Sequence, residues 1–454
     1  MKLTTGDARE LAVKVLSDIA ANGSYNNLAL RRALSENGGL PAGARAAVTD
    51  TVNGVLRNLI YIDSRIQAAS SAPAEKLRPF VLSVLRAAAY ELLFTRAPAH
   101  AACNEAVNIV KRSRYKDLAG FVNAVLRNIS RDAPRGDDRA GPPDPRDPIG
   151  RICAEYSCPR WLAEHWLREF DQKTVEDICA ESVRTPRVTL CVNTIKTDKA
   201  ELARSLREEG ANVDEDTRLT DSLYISSAGD LSALAAFKAG LFHVMDESAM
   251  LAVRLLDPAG GGAVFDVCAA PGGKSFYAAY LTKGACHIRA FDINARRLRL
   301  ITQTAGRLGL GNIRADLMDA RAFDPELAGA ADRLILDAPC SGLGLLRKKP
   351  DIKYGKGEED ISELAALQRE LLANCQAYVR PGGRLLYSTC TISAPENAGN
   401  MAWFTANFPF REIEYRARGS DCGKFNYRQP GAGIQILPGP DADGFYICVL
   451  ERFK

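Results

Sequence analysis

Two cysteines that each follow a predicted strand are the residues of this chain best placed to do chemistry. Cys340 follows an apolar stretch that ends in Asp337 and Pro339, and Cys390 follows the stretch 384–389. Pro339 stops the first strand because it has no backbone donor, and open α/β sheets bind ligands at the carboxyl ends of their strands. Strands separated by one crossover helix commonly lie side by side. We therefore expect both thiols and Asp337 to face one pocket.

Two thiols beside a carboxylate suit covalent catalysis on a pyrimidine ring. Carbon 5 of a pyrimidine becomes nucleophilic only after a thiolate adds to carbon 6, and a second group must then help to remove the carbon 5 proton so that the thiolate can leave. Asp337 could steady a cytosine by hydrogen bonds to N3 and the exocyclic amine. The rigid turn at Cys340 looks, by itself, like the nucleophile's own turn. The proton transfer falls to Cys340, Asp337 or water, because these motifs contain none of the four histidines, which are His100, His165, His243 and His287.

A glycine-rich turn after another predicted strand suits a bound nucleoside. Such a turn between a buried strand and a helix lets a ligand approach the backbone amides. Asp292, 19 residues beyond Gly273, would accept bonds from ribose hydroxyls at the end of the next strand. Asp319, just after the third strand, falls near the adenine position of such a site, and a solvated loop acid is the alternative. The turn comprises Cys268, Ala269, Ala270, Pro271, Gly272, Gly273 and Lys274.

This turn does not match a loop that binds a diphosphate. A P-loop needs glycine where Cys268 stands, and the dinucleotide fingerprint Gly-x-Gly-x-x-Gly is absent. A nucleoside cofactor without phosphates fits better, and S-adenosylmethionine is the common one. The alternative is a turn with a glycine pair and no ligand, since Gly-rich turns are common.

Strand, turn and helix alternate from residue 260 onwards, which predicts a doubly wound parallel sheet. A terminal strand at 444–452 alternates apolar and polar residues and is expected to run antiparallel at the far side of this sheet. The other strands are expected at 263–267, 288–292, 313–316, 333–337 and 384–389, with helical stretches near 274–283, 294–308, 363–379 and 395–406.

The region before this sheet divides into three parts. Residues 8–130 follow the helical i, i+3, i+4, i+7 pattern, most clearly where Val122, Val125, Leu126 and Ile129 form one face. The Pro-, Gly- and charge-rich run after them cannot bury a core and is interpreted as a linker. Alternating strands and a short helix then predict a small α+β unit. The expected divisions are 1–132 helical domain, 133–149 linker, 150–255 packing helices and small α+β unit, and 256–454 catalytic domain.

Positive charge is concentrated in the first third of the chain. Residues 1–132 hold 18 Lys and Arg against 11 Asp and Glu, a net charge of +7. Because the whole chain has a net charge of +4, the remaining residues carry −3. A basic domain suits nucleic acid, and a solvated helical surface without a ligand is the alternative. Arg347, Lys348 and Lys349, just beyond Cys340, could likewise hold RNA phosphates or form a solvated basic turn.

The composition, 46% hydrophobic and 25% charged, is typical of a soluble globular protein. Asp7, Arg9 and Glu10 stand where a signal peptide would be apolar, and no apolar run is long enough to span a bilayer. We therefore expect a cytoplasmic protein with no membrane contact. The twelve cysteines are expected to be free thiols, and without a Cys-x-x-Cys pair we expect no metal site. We expect a monomer.

Two family resemblances cover nearly the whole chain. The first 130 or so residues, with Ala8-Arg9, Glu105-Ala106-Val107 and the run 121–127, resemble the NusB-type RNA-binding domain. The whole resembles the Sun-type, or RsmB-like, rRNA cytosine-C5 methyltransferases. The motifs that carry this second resemblance are 266–274, 337–342, 347–351, 381–383 with 388–390, Pro395-Glu396-Asn397 and Asp443-Gly444-Phe445.

The second resemblance implies a multidomain fold and a role for each site residue. A NusB-like all-α domain would precede a small RRM-like α+β unit and a class I, Rossmann-like methyltransferase domain. Cys390 would be the nucleophile, Cys340 the thiol that assists release, and Asp337 the residue at the cytosine. Residues 268–274, Asp292 and Asp319 would surround S-adenosylmethionine, and small-subunit (16S) rRNA would be the substrate.

Two other functions remain open at this point. The chain would be an RNA-binding ribosome-assembly factor if its methyltransferase fold had little or no catalytic role, although the intact thiol and acid residues argue against this. A nucleotide hydrolase is disfavoured by Cys268, whose side chain would obstruct a phosphate cradle.

Overall fold

The computed structural model describes residues 5–22, 26–132, 147–226, 229–414 and 421–453. The chain forms two compact units, one of residues 1–185 and 346–356 and the other of residues 186–345 and 357–454. The predicted linker at 133–149 lies mostly outside the described residues, since 133–146 are not among them. The domain boundaries given above therefore stay predictions.

The first unit is helical, as the spacing of its apolar residues predicts. The face of its seventh helix that carries Val122, Val125, Leu126 and Ile129 is buried against the other helices. An ion pair of 2.7 Å between Arg9 and Glu91 ties the first helix to the fifth. The helices are α1 (Thr5–Asn22), α2 (Asn26–Glu36), α3 (Ala42–Arg57), α4 (Leu59–Ala69), α5 (Pro79–Phe94), α6 (Ala99–Lys111), α7 (Ala119–Arg131), α8 (Pro148–Tyr156), α9 (Arg160–Leu167) and α10 (Gln172–Ser182).

A segment from much later in the sequence also belongs to this helical unit. Residues 346–356 contain a 3₁₀ turn at Pro350–Tyr354 that packs on the end of α3. The ammonium of Lys353 donates to the carbonyl of Arg57 at 2.9 Å, and the hydroxyl of Tyr354 donates to the carbonyl of Leu56 at 2.9 Å. Lys353 is almost completely buried, and burial lowers its pKa to about 8.

The second unit begins with the predicted small α+β fold. Its four strands form an antiparallel sheet in the order β2-β3-β1-β4. Leu190 and Val192 of β1 pack against Leu202 and Leu206 of the covering helix. The elements are β1 (Val188–Val192), α11 (Lys199–Glu208), β2 (Asn212–Asp214), β3 (Ser222–Ser226), α12 (Ala235–Lys238), β4 (Phe242–Val244) and α13 (Glu247–Leu256).

The rest of the second unit is the large sheet with its helices. The five strands predicted from their apolar runs are parallel and lie in the order β9-β8-β5-β6-β7. Their elements are β5 (Ala263–Val267), α14 (Gly273–Leu281), β6 (His287–Asp292), α15 (Ala295–Leu308), β7 (Ile313–Leu317), β8 (Ala331–Asp337), α16 (Glu358–Cys375) and β9 (Val379–Thr389). After them come α17 (Ala398–Asn407), β10 (Phe410–Glu412), β11 (Tyr427–Arg428), β12 (Ile434–Ile436) and β13 (Phe445–Arg452).

The terminal strand β13 pairs antiparallel with β9, as expected. It is not an edge strand, because β12 and β11 lie beyond it in the sheet and β10 also pairs with it. The sheet is thus mixed. Its parallel half carries the loops with Cys340, Cys390 and the glycine-rich turn, and its antiparallel half continues the sheet from β9 through β13.

Two helices near the thiols begin elsewhere than the apolar pattern predicts. Helix α16 begins at Glu358, five residues before its expected start, because Asp360 accepts the backbone NH of Gly357 at 2.8 Å and the acidic first turn suits a helix N-terminus. Helix α17 begins at Ala398 and not at residue 395. Glu396 and Asn397, which precede it, bond with their side chains to Ser341 and Thr391.

Candidate active site

Cys340 and Cys390 meet because their strands are neighbours. β8 and β9 are parallel and pair Asp337 with Ser388, so both strands end at the same level. The two sulfur atoms lie 3.3 Å apart, and both side chains are partly exposed. The structure thus brings together the two thiols that the sequence placed at the ends of adjacent strands.

The turns that carry the thiols are held by backbone contacts. The NH of Gly344 donates to the carbonyl of Cys390 at 3.0 Å, and the NH of Gly444 donates to the carbonyl of Gly344 at 3.0 Å. A Cβ atom on Gly344 would lie 2.0 Å from the carbonyl oxygen of Gly444. Only glycine permits this approach of three chain segments.

Asp337 lies beside the thiols with its carboxylate already oriented. Ser388 donates to one carboxylate oxygen at 2.9 Å, and the ammonium of Lys274 lies 2.7 Å from the other. The Asp337 side chain is 38% exposed, so it can still reach a ligand. The Lys274 ammonium also lies 5.1 Å from the centre of the Phe445 ring, a cation–π contact that holds it in place. The glycine-rich turn and the thiol turns are therefore linked through the ion pair of Lys274 and Asp337.

The two thiols do not ionise independently. The contact with the Cys390 thiol, followed by burial, raises the pKa of Cys340 well above its ordinary value. A negative charge on one sulfur disfavours a second charge on the other at 3.3 Å. The pair therefore carries one thiolate and one thiol more readily than two thiolates.

The glycine-rich turn from Cys268 to Lys274 takes backbone conformations that side chains disfavour. Cys268 has φ +65° and Gly272 has φ +105°, and the first NH groups of α14 begin at Gly273. A Cβ atom on Gly272 would lie 2.5 Å from the ring of Phe276. The turn therefore keeps its backbone open at a helix N-terminus, where the free NH groups attract polar ligand atoms.

Asp266, at the end of β5 beneath this turn, has an unused carboxylate oxygen. Ser275 donates to Oδ2 at 2.6 Å, whereas Oδ1 is buried and has no hydrogen-bond partner. Burial raises the pKa of Asp266 to about 7. A buried acceptor of this kind next to an open glycine turn fits a polar ligand, so the residues present suit a nucleoside cofactor.

Asp292 and Asp319 stand differently towards the turn. Asp292 is buried at the end of β6, accepts the NH of Ala270 at 3.3 Å and the NH of Asn294 at 2.9 Å, and so ties the turn to the neighbouring strand. Asp319 is more exposed and forms an ion pair of 2.7 Å with Arg321, which lowers its pKa. The ion pair with Arg321 would have to break before the Asp319 carboxylate could bind a ligand.

The basic triplet belongs to the helical unit and its members differ in exposure. Arg347 is buried, and its carbonyl accepts from the guanidinium of Arg57 at 3.0 Å. Lys348 is partly exposed, and Lys349 is exposed. Of the three predicted RNA contacts, Lys349 is thus the most accessible to a phosphate and Arg347 the least.

Sequence reasoning assigned no role to the polar residues that bond to the thiol turns. Glu396, Asn397 and Gln368 are buried and hydrogen-bond to the turns of Cys340 and Cys390. The available signal was the run Pro395-Glu396-Asn397 at the start of an otherwise apolar helix pattern. Gln368 and Ser341, the partners of Glu396, lie 28 and 55 residues away in sequence, so spacing alone could not assign this run a role.

Neither a metal cluster nor a membrane span is found in the parts of the chain that are described. No group of three or more His, Cys, Asp and Glu side chains there could hold a metal ion. No described helix is both long and apolar enough to cross a bilayer.

Comparison with known proteins gives the chain a family. Residues 253–451 match the family of 16S rRNA methyltransferases RsmB/F, residues 6–131 match the NusB family, and residues 158–232 match a ferredoxin-like domain of RsmF/B-like methyltransferases. The probable ribosomal RNA small subunit methyltransferase B of Bacillus subtilis (strain 168) is 34% identical over 455 residues, covering 100% of both chains. The chain belongs to the RsmB/F methyltransferase family.

A second relative and two solved structures extend the similarity. Ribosomal RNA small subunit methyltransferase B of Vibrio cholerae is 34% identical over 443 residues, covering 95% of this chain and 96% of its own length. The crystal structure of PH0851 superposes with a TM-score of 0.79 at 26% identity over 100% of both chains. NSun6 from Pyrococcus horikoshii, at 23% identity, covers 65% of this chain and 98% of its own with a TM-score of 0.57, which speaks for the fold alone. The predicted resemblance and fold class are confirmed.

Proposed function

We propose that this RsmB/F protein methylates carbon 5 of a cytosine in small-subunit rRNA through a covalent bond between Cys390 and carbon 6. The observation that carries the proposal is the pair of sulfur atoms 3.3 Å apart, next to Asp337 and the glycine-rich turn. Methylation at an exocyclic amine or a ribose hydroxyl would need no thiol. The names of the family and its relatives supply the class of RNA.

Residues of one sheet edge would hold the cofactor. S-adenosylmethionine supplies an electrophilic methyl group when bound. The turn 268–274 offers backbone NH groups, Asp292 a carboxylate for ribose hydroxyls, and Asp337 a second acid next to Lys274. Asp319 would join them on the adenine side by releasing Arg321.

The raised pKa of Cys340 suits a division of labour between the two thiols. Cys390, as the thiolate, adds to carbon 6, while Asp337 accepts a hydrogen bond from the exocyclic amine and keeps the ring in place. Addition moves the negative charge from Cys390 into the ring, so Cys340 can then lose its proton to solvent. After carbon 5 is methylated, the Cys340 thiolate takes the carbon 5 proton, the C5–C6 double bond re-forms, and the bond to Cys390 breaks.

RNA would be held by surfaces outside the chemical site. The helical unit carries the excess positive charge of residues 1–132, and Lys348 and Lys349 offer ammonium groups for phosphates. Arg347, being buried, would position this turn for its neighbours.

A covalent-adduct gel tests the roles of the two thiols. Purified variants are mixed with small-subunit rRNA and methyl-labelled cofactor, denatured without thiol reductant, and separated by size. Cys390→Ala should neither methylate nor form an adduct, because the nucleophile is gone. Cys340→Ala should accumulate protein linked to RNA, because the release step lacks its base.

Cys375→Ala is the matched control, since Cys375 is a buried cysteine of the same unit and lies in α16. It should behave as the wild type does. An adduct in Cys390→Ala and none in Cys340→Ala would reverse the assignment, and no adduct in any variant, with methylation intact, would contradict the covalent route.

A further inference from the structure

Glu396 is a buried side chain directed at the turn of Cys340. Its carboxylate accepts the backbone NH of Ser341 at 2.8 Å and the hydroxyl of Ser341 at 2.5 Å. Gln368 of α16 donates to the same carboxylate at 3.0 Å and also to the carbonyl of Pro339 at 2.8 Å. The residues on both sides of Cys340 are therefore fixed by one hydrogen-bonded pair.

Asn397, the next residue, makes the equivalent contacts around Cys390. Its Oδ1 accepts the hydroxyl of Thr389 at 2.6 Å, and its Nδ2 donates to the carbonyl of Thr391 at 3.0 Å. The same Nδ2 donates to Gln435 at 2.8 Å. Asn397 thus bonds to the residue before Cys390 and to the residue after it.

The two sets of contacts are joined to each other. The hydroxyls of Ser341 and Thr391 lie 2.8 Å apart, which connects the turn of Cys340 to the turn of Cys390. The hydroxyl of Tyr387 on β9 donates to the carbonyl of Glu396 at 2.6 Å, so the pair of clamping residues is itself fixed to a central strand. The network therefore sets one turn relative to the other on a rigid base.

The start of helix α17 shows that these contacts have a cost. Asn397 occupies the N-cap position, where Asn ordinarily accepts a backbone NH of the first helical turn. Its side chain makes no such bond and is turned to Thr389 and Thr391 instead. An N-cap residue that does not cap lowers the stability of the helix, so satisfaction of the helix end does not explain this orientation.

We propose that Glu396 and Asn397 are positioning residues that set the distance between the two thiols, Glu396 acting on Cys340 through Ser341 and Asn397 acting on Cys390 through Thr389 and Thr391. The assignment of a separate step to each residue rests on the proposed function. The thiol geometry can be measured without RNA or cofactor.

The two residues predict opposite effects on the covalent adduct. Glu396→Ala frees the turn that carries Cys340, the thiol that helps to break the covalent bond. The adduct with rRNA should therefore accumulate roughly tenfold over the wild type. Asn397→Ala releases the turn of the nucleophile, so adduct and methylation should both fall by a similar factor. A merely structural role would lower both steps together.

Glu396→Gln is the conservative variant. Its amide oxygen can accept from Ser341 NH and Gln368, and its amide nitrogen can donate to the hydroxyl of Ser341, which then donates to Thr391. Both bonds of the Ser341 hydroxyl, to residue 396 and to Thr391, reverse direction but are kept, so this variant should restore wild-type adduct levels. Loss of function in Glu396→Gln equal to that in Glu396→Ala would mean that charge, and not position, is what Glu396 supplies.

The direct test is a thiol-bridging reagent, dibromobimane, which becomes fluorescent when both of its ends react with neighbouring cysteines. On the full chain without RNA, the bridged yield at Cys340 and Cys390 should fall roughly tenfold in Glu396→Ala and Asn397→Ala and stay high in Glu396→Gln. Cys340→Ala gives the background from the other cysteines. Wild-type yields in both alanine variants would overturn the proposal.

Glu247→Ala is the matched control for lost stability. Glu247 is equally buried in the same unit and accepts three hydrogen bonds, from Leu219 NH, Ser222 and Tyr224, in the small α+β fold. It should lower the melting temperature as much as Glu396→Ala does and leave the bridged yield unchanged. An equal loss of bridging in Glu247→Ala would assign the effect to unfolding and overturn the positioning role.

The two proposals fail separately. If the bridging pattern holds while the wild type does not form 5-methylcytosine, positioning stands and the proposed reaction is wrong. If methylation occurs and bridging is unaffected by the alanine variants, the reaction stands and positioning is wrong.

Discussion

At the scale of single residues, the proposed reaction depends on two thiols in contact, of which Cys340 has its pKa raised by the other. Cys340 and Cys390 are in contact at 3.3 Å, and Asp337 is paired with Lys274 next to them. The raised pKa of Cys340, which its contact with Cys390 causes, explains how two identical groups could take different roles in one reaction.

The ionisation of Cys340 gives the first prediction. Contact with the Cys390 thiol is the largest cause that raises the pKa of Cys340, so Cys390→Ala should bring that pKa down towards its ordinary value. Iodoacetamide at pH 7.5 should then modify Cys340 faster than in the wild type, as measured by mass spectrometry of the peptide. The peptide with buried Cys375, whose pKa is raised by burial, should stay unmodified in both proteins. An unchanged or slower rate at Cys340 would show that contact with Cys390 does not raise the pKa of Cys340.

Much of the site at this scale could be predicted from the sequence, and one part could not. The meeting of Cys340 and Cys390 follows from two apolar runs, each ending in a thiol, on strands separated by one helix. The role of Glu396 does not follow, because its carboxylate bonds to Ser341, 55 residues away, and only the packed turns bring the two together. Arg347 was grouped with two exposed lysines by its charge, and burial separated it from them.

At the scale of elements, the thiol turns and the C-terminal turn before β13 touch through glycine backbones. Gly344→Ala would place a Cβ 2.0 Å from the carbonyl of Gly444. We expect it to destabilise the second unit by about 1 to 3 kcal/mol and to reduce methylation, since the Cys390 carbonyl is bonded to the same residue. Gly311→Ala is the control, because a Cβ there meets nothing within 4 Å. Equal melting temperatures of the two variants would show that the close approach is not required.

Strand β4 carries a buried histidine against helix α14. His243 lies 3.3 Å from the hydroxyl of Tyr280 and contacts the ring of Phe276 edge-on, and burial, together with the charge of Arg307, lowers its pKa to about 3. The folded protein keeps it neutral where the unfolded chain binds a proton. Stability from His243 is therefore complete above its ordinary pKa of about 6.5 and is lost as the pH falls below it.

This histidine gives a prediction that hydrogen exchange can check. Between pH 6.5 and pH 5 the loss amounts to about 2 kcal/mol. The opening free energy of peptides covering β4 and α14 should therefore fall more in the wild type than in His243→Gln over this range. A variant with the same pH dependence as the wild type would show that folding does not lower the pKa of His243.

Element boundaries followed the sequence where apolar spacing defines them and departed from it where polar contacts do. The parallel strands lie close to their apolar runs, whereas α16 begins earlier through its acidic first turn and α17 later because Glu396 and Asn397 bond to the thiol turns. The mixed character of the sheet beyond β9 was missed in part, since β11 and β12 are too short to give a pattern.

At the scale of the whole molecule, the similarity to a probable ribosomal RNA small subunit methyltransferase B spans both the helical unit and the sheet unit. If the helical unit binds rRNA, exposed Lys349 contributes a phosphate contact. Lys349→Ala should weaken rRNA binding and reduce the slope of log affinity against log salt by about 1. Lys173→Ala removes an exposed lysine of α10 that is paired with Asp177, and it should leave the slope unchanged. Equal slopes for all three proteins would remove Lys349 from the interface.

The alternative of an RNA-binding assembly factor also belongs to this scale. If the fold acts mainly by binding, cells that carry Cys390→Ala should assemble ribosomes as the wild type does. If the protein is an enzyme, those cells should lack the methylated nucleotide whatever their assembly.

The central claim is that carbon 5 of a cytosine receives the methyl group through Cys390, and nucleoside analysis tests it most directly. Small-subunit rRNA is incubated with methyl-labelled S-adenosylmethionine and the protein, digested to nucleosides, and separated. The wild type should place the label in 5-methylcytidine, and Cys390→Ala should place none. Label in any other nucleoside, or 5-methylcytidine formed by Cys390→Ala at the wild-type rate, would contradict the account.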